Sequence, residues 1–343
     1  MKFLLVSFFV STVLCFLLIR FTGFFAYDPC CGVQKFHRRP VPRIGGVAIF
    51  VACLISGVSL CTAGKPFCRD FFLVVVSSVP VFVSGVLEDV TKRISPEFRL
   101  FFSFISALLF CFLFSVVVRR VDVWFLDFLF SLPIVSFVFT VFAIAGVAHA
   151  FNIIDGFNGL CSGIAMMVFG SYAYVAFKLG DMFIVYLSMI LIFAILGFFV
   201  WNYPMGLIFL GDGGAYFLGF IAAVIGVLLV NRHPQVSPWF PLMLVVYPVW
   251  ETLFSVYRRR TKRLSPDKPD ALHLHSLIFR RLVSLNPITS VYCWFMELLC
   301  VVLALAFWKS TPLLMLSALA FVLFYLWIYF RIVRFKTPKI LKA

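Results

Sequence analysis

The feature that most constrains this chain is the recurrence of long apolar stretches, broken only by short segments bearing charge, glycine or proline. A helix needs about 20 apolar residues to cross bilayer hydrocarbon. Stretches approaching that length run over 3–27, 44–62, 70–87, 98–118, 129–149, 160–177, 182–202, 214–231, 238–257, 290–308 and 312–331. They predict an all-α, polytopic integral membrane protein with about eleven transmembrane helices in one unit spanning 1–343. Only 13% of the residues are charged, against about a quarter in soluble domains.

Basic residues are retained on the cytoplasmic side of a membrane. Twenty of the 29 Lys and Arg fall in alternate breaks that include Arg43, Lys92, Arg99, Arg258, Arg281 and Arg334. Eight fall in the intervening set, which holds Lys2, Lys65, Arg119, Lys178, Arg232 and Lys309, and Arg20 lies within the first stretch. The asymmetry predicts an outside N-terminus and an inside C-terminus. The first stretch is too long for a signal-peptide core and shows no small-residue cleavage site before Cys30, so it is expected to be a retained helix. Ten cysteines without a C-x-x-C pair read as buried thiols rather than metal or redox centres. Cys61 and Cys68, flanking an outward loop, are a candidate cross-link. The net charge of +15 suits anionic lipids and anionic substrates, and a chain this apolar excludes a nucleic-acid binder.

Every polar motif falls in the predicted cytoplasmic segments, near 28–43, 88–97, 150–159, 203–213 and 258–289. The first carries Lys35, His37, Pro42 and Arg43 before a Gly45-Gly46 pair, which permits close backbone approach. Glu88 and Asp89 end a helix against its dipole, so a cation is expected nearby. Adjacent helical residues differ by about 100°, so the two carboxylates should serve different partners. Asn152, Asp155 and Asn158 recur every third residue among glycines, as turn and cap residues or as one polar face. Asp212, within Gly211-Asp212-Gly213-Gly214, is either a helix N-cap or a hard-cation ligand beside an anion held by first-turn N–H groups. His273 and His275, near Asp267 and Asp270, are phosphate or base contacts or ordinary surface histidines, and Glu251 is a packed, paired carboxylate of open role.

In this order the motifs resemble the polyprenyl-phosphate N-acetylhexosamine-1-phosphate transferase superfamily. Lys35-x-His37 with Pro42-Arg43-x-Gly45-Gly46 is similar to its first cytoplasmic motif, and Glu88-Asp89 to its acidic pair, usually Asp-Asp. Asn152-x-x-Asp155-Gly156-x-Asn158-Gly159-Leu160 resembles its Asn-x-x-Asp-Gly-x-Asp-Gly-Leu signature, with Asn158 in place of an aspartate. Phe209 to Gly214 followed by Leu218-Gly219-Phe220 resembles its Gly-Asp motif, and Asp270-x-x-His273-x-His275 its histidine motif. The resemblance implies attack by undecaprenyl phosphate on the β-phosphorus of a UDP-N-acetylhexosamine at the cytoplasmic face of a bacterial inner membrane, releasing UMP. It implies Mg²⁺, with Mn²⁺ as an alternative, held by Asp212 and Asp155, and catalytic carboxylates among Glu88, Asp89 and Asp155. Lys35, Arg43, His273 and His275 would meet phosphates, Asn152 and Asn158 the uridine, and a homodimer is left open. The Pro-Arg-x-Gly-Gly pattern and single His-x-His resemble the GlcNAc-1-phosphate branch that initiates O-antigen, teichoic-acid or related cell-wall glycans. The peptidoglycan branch acting on UDP-MurNAc-pentapeptide comes second, and a transporter without chemistry is the alternative of another class.

Overall fold

The computed structural model describes residues 2–21, 27–28, 40–261 and 272–334. Lys35, His37, Asp267 and Asp270 therefore lie outside the described residues. Helices α1 (Lys2–Phe21), α2 (Gly45–Thr62), α3 (Cys68–Thr91) and α4 (Pro96–Phe114) are followed by the short α5 (Trp124–Phe130). Then come α6 (Pro133–Ile154), α7 (Leu160–Leu179), α8 (Met182–Asn202), α9 (Gly211–Arg232), α10 (Trp239–Leu244) and α11 (Val246–Thr261). The last described elements are α12 (Leu274–Ile278), a π-helical turn over Phe279–Val283, α13 (Asn286–Phe307) and α14 (Thr311–Arg334). A two-residue antiparallel ladder, β1 (Tyr27–Asp28) with β2 (Val41–Pro42), is the one departure from helix among the described elements.

Ten of these helices are long and apolar enough to cross a membrane: α1 to α4, α6 to α9, α13 and α14. The expected span over 238–257 differs, because it is broken at Val245 into α10 and α11. Pro248 has no N–H to return to the Leu244 carbonyl, so the break falls where an intrahelical bond is missing. The second piece also carries Glu251 and Arg258 to Arg260, which takes it below the apolarity of a free span. Helix α6 runs five residues beyond the expected end at 149, placing Asn152 in its last turn.

Helix α9 is the axis of the bundle. Every residue from Gly211 to Val230 except Ala223 is buried, whereas α1, α4, α13 and α14 present Phe9, Phe112, Phe295 and Trp327 outward as lipid-facing surface does. Close approach to α9 depends on glycine. A Cβ on Gly46 would lie 2.2 Å from the Gly214 Cα, and one on Gly85 would lie 2.5 Å from the Gly213 nitrogen. At the opposite end, Cys61 and Cys68 form a disulfide, and Arg232 pairs with Asp70 at 3.0 Å and with Asp181 at 3.5 Å.

Candidate active site

The site grows from one backbone splice. Phe209 N–H donates to the Pro42 carbonyl, and the N–H groups of Gly45 and Gly46 donate back to the carbonyls of Phe209 and Leu210 at 2.9 and 2.8 Å. The start of α2 is thereby laid along the entry to α9, which sets Arg43 beside Asp212. Gly211 has φ +79°, and a Cβ there would lie 2.4 Å from the Arg43 carbonyl and 2.6 Å from Asp89 Oδ2, so only glycine fits.

Asp212 does not cap its own helix; the N-cap position is Leu210, which makes no side-chain cap bond. The N–H groups of Asp212 and Gly213 instead donate at 2.9 Å each to Oδ1 and Oδ2 of Asp89. The first-turn donors expected to meet an anion thus meet a carboxylate of α3, in the favourable sense for the α9 dipole. Arg43 bridges the two acids, with Nε 3.4 Å from Asp89 Oδ1 and a terminal nitrogen on Asp212 Oδ1. Arg99, from the first turn of α4, pairs with Asp212 Oδ2. Asn152, in the last turn of α6, lies near Asp212.

Glu88 and Asp89 have separate partners, as their angular offset requires: Glu88 Oε2 accepts from the Ile94 N–H at 2.8 Å and ties off the turn into α4. Asp155 ends α6 and is half-buried. Burial pushes its carboxyl up to about 7, opposed by Arg43 and reinforced by Asp212. Asn158 holds the α6–α7 connection in place: its amide donates to the Pro204 carbonyl at 2.9 Å, its N–H to Asn286 Oδ1 at 2.8 Å, and its carbonyl accepts from Ser290 at 2.7 Å.

The two histidines are not surface residues. His273 is the extended N-cap of α12 and His275 lies in its first turn. Both are buried, with parallel rings 5.3 Å apart between centroids. The extended backbone at His273 lets residues two apart share a side. A Cβ on Gly156 would stand 3.5 Å from His275 Nε2, so the histidine pair adjoins the loop that carries Asp155.

Arg99, His149, Tyr216, Tyr247 and Tyr325 were not singled out in the sequence. The Arg99 guanidinium lies 6.0 Å from the Tyr216 ring centroid, and His149 packs edge-on to Tyr216 at 4.8 Å with Nε2 3.1 Å from Ser103 Oγ. Helical spacing was the available signal, since Tyr216 follows Asp212 by four residues and His149 precedes Asn152 by three.

The model of glycosyl transferase family 4 matches residues 71–230, from α3 through α9. An undecaprenyl-phosphate alpha-N-acetylglucosaminyl 1-phosphate transferase of Thermotoga maritima is 30% identical over 251 residues, covering 73% of this chain and 72% of the relative. The chain belongs to glycosyl transferase family 4. A probable undecaprenyl-phosphate N-acetylglucosaminyl 1-phosphate transferase of Bacillus subtilis is 28% identical over 71% of the chain, which spans 66% of that relative. The phospho-N-acetylmuramoyl-pentapeptide-transferase of Lactobacillus acidophilus is 25% identical over 80% of the chain and 86% of its own length. Within this family 4 transferase, the matched region supplies Asp89, Arg99, Asn152, Asp155 and Asp212. Arg43, the histidine pair and Glu251 come from outside it.

Proposed function

We propose that this transferase moves N-acetylglucosamine 1-phosphate from UDP-GlcNAc to undecaprenyl phosphate at the cytoplasmic face of a bacterial inner membrane, initiating a lipid-linked glycan. A phosphate oxygen of the lipid forms a bond to the β-phosphorus of the donor, the bond to UMP breaks, and UMP leaves. One observation carries this: Asp89, Asp212, Arg43, Arg99, Asp155 and His275 from five segments converge at one end of a bundle whose flanks are apolar. Such a floor suits an anionic headgroup whose tail stays in lipid. Coupling residues of a transporter are instead expected near the bilayer midplane.

The donor set fits a hard cation. Asp212 and Asp155 offer carboxylate oxygens, and because Arg43 and Arg99 pair with both oxygens of Asp212, a cation there would displace a guanidinium toward the substrate phosphates. Among the described residues no three His, Cys, Asp or Glu stand close enough together to hold a metal ion by themselves, and magnesium ordinarily needs only one or two protein carboxylates beside substrate phosphates. Asp212 and Asp155 would hold Mg²⁺, or Mn²⁺ in its place, and the ion would neutralise developing charge on the diphosphate. Asp89, one of the three expected catalytic carboxylates, is committed to the α9 amides and Arg43. The half-exposed Asp155 is therefore the better candidate to face the lipid phosphate, with Glu88 bracing the turn that positions Arg99. Arg43, Lys35 and the histidines would bind phosphate oxygens. Asn152 and the Oδ1 of Asn158 would meet the uridine, where an amide oxygen can accept from uracil N3–H.

Purified protein given a panel of labelled UDP-sugars, undecaprenyl phosphate and Mg²⁺ should yield a lipid-linked product and UMP from UDP-GlcNAc or a close analogue. Product from UDP-MurNAc-pentapeptide alone would move the chain to the peptidoglycan reaction, which the long alignment with the Lactobacillus relative keeps as the second reading.

A further inference from the structure

Glu251 lies on α11 outside every motif assigned above, and its side chain is fully buried. Its carboxylate accepts from His273 Nδ1 at 2.9 Å, from the Leu274 N–H at 3.2 and 3.3 Å, and from the Tyr325 hydroxyl at 2.7 Å. Four residues earlier on the same face, the fully buried Tyr247 has its hydroxyl 3.2 Å from His275 Nδ1. Helix α11 therefore grips both imidazoles by the same ring atom. The parallel rings, 3° apart in plane, turn their Nε2 edges away from α11, and that of His275 meets Gly156 beside Asp155.

A carboxylate has only lone pairs to offer, so its partner Nδ1 must carry the proton, and Nε2 is the atom left to the site. Burying a carboxylate costs several kcal/mol before its partners offset it, and an apolar residue would pack α11 against α14 without that cost. Packing alone does not account for the acid. The third donor, Tyr325, comes from α14, beyond the residues that match the family model.

We infer that Glu251 and Tyr325 are positioning residues: acting through His273 Nδ1, they fix the ring whose Nε2 meets the diphosphate of the donor. This rests on the proposed function for the role of His273 but not for the pairing itself. Glu251→Gln keeps the volume and an acceptor while removing the charge, and Tyr325→Phe removes one hydroxyl. In the full-length protein, Glu251→Gln should lower kcat about 10- to 100-fold, the range for groups that orient a reacting ligand. Tyr325→Phe should lower it about 3- to 10-fold, the equivalent of one hydrogen bond. In a His273→Ala background neither substitution should lower it further, because the ring through which they act is gone. Equal losses in both backgrounds, or wild-type turnover in Glu251→Gln, would overturn the inference.

A second readout needs no turnover. The chain has five histidines, so ¹⁵N-histidine spectra of the wild type, assigned with His273→Ala, report the protonation of His273 Nδ1 directly. A protonated Nδ1 at neutral pH is expected, and an unprotonated one would overturn the pairing. If Nδ1 is protonated while no UDP-sugar gives a product, the proposed function falls and the pairing stands.

Discussion

Replacing Gly85 by alanine tests the contact on which the acidic cluster rests. A Cβ at Gly85 would sit 2.5 Å from the Gly213 nitrogen, 2.6 Å from its Cα and 2.7 Å from the Asp212 carbonyl carbon, all backbone atoms that cannot rotate away. Ordinary contact begins near 3.4 Å, so α3 and α9 must separate by about 0.9 Å. Asp89 is one turn further along α3 and accepts from the α9 amides at 2.9 Å. The same displacement would stretch both bonds to about 3.8 Å, beyond hydrogen-bonding range. Overpacking costs about 1–3 kcal/mol, and each lost bond to a charged acceptor about 1.5–3 kcal/mol. An ångström of misplacement in a site costs on the order of 100-fold in rate. Gly85→Ala should therefore lower the melting temperature in detergent and cut transfer about 100-fold in the fraction that remains folded. Gly170→Ala is the control, because nothing lies within 4 Å of a Cβ there; it should leave activity intact and gain up to about 1 kcal/mol from helix propensity. Normal activity and melting in Gly85→Ala would refute the close packing of α3 on α9.

Asp212→Asn should abolish transfer and weaken Mg²⁺ dependence, but it also strands Arg43 and Arg99, so folded yield should fall. Adding Arg99→Gln should recover yield without activity, and recovery of turnover would remove Asp212 from the site. The Asp155 carboxyl, raised from 3.8 to about 7, gives the folded state the higher proton affinity, so stability is lost as pH rises through that window. The melting temperature of the wild type relative to Asp155→Asn should fall over that range and level off above about 7, whereas parallel curves would count against a raised Asp155 carboxyl. Cysteine-accessibility labelling should reach a cysteine at Arg93 only from the cytoplasmic side and cysteines at Lys65 and Arg232 only from outside. Labelling of the ends of α3 and α9 nearest Asp89 and Asp212 from opposite sides would dismantle the site.

The helices were legible because a membrane imposes a single requirement, a long apolar stretch with its backbone bonds satisfied internally, and that requirement is written in consecutive residues. The one architectural miss, the break at Val245, was written there too. Pro248 and the charges from Glu251 onward sit inside a stretch whose average apolarity hid them. The residues gathered in the candidate site were legible as types and as polar breaks between apolar stretches, since carboxylates, histidines and paired glycines stand out against so apolar a background. Their pairings were not. That Asp89 would serve the α9 amides rather than its neighbour's partner follows from a contact between residues 123 and 124 positions apart.

What the sequence hid most completely was the support for the histidines, and the reason is physical. A site residue reached from solvent must be polar and stands out, whereas the groups that hold it are chosen for burial, and Tyr247 and Tyr325 on apolar helices are indistinguishable from core aromatics until their hydroxyls are placed. Glu251 is the exception that could have been followed further. A carboxylate in so apolar a stretch, 19 residues beyond the nearest preceding charge at Arg232, has to find donors. Within α11 none lies one turn away on either side except the tyrosine at 247 and the serine at 255, so its partners had to come from another segment. They came from the histidine motif, through the His273 ring and the Leu274 N–H, and from the Tyr325 hydroxyl of α14.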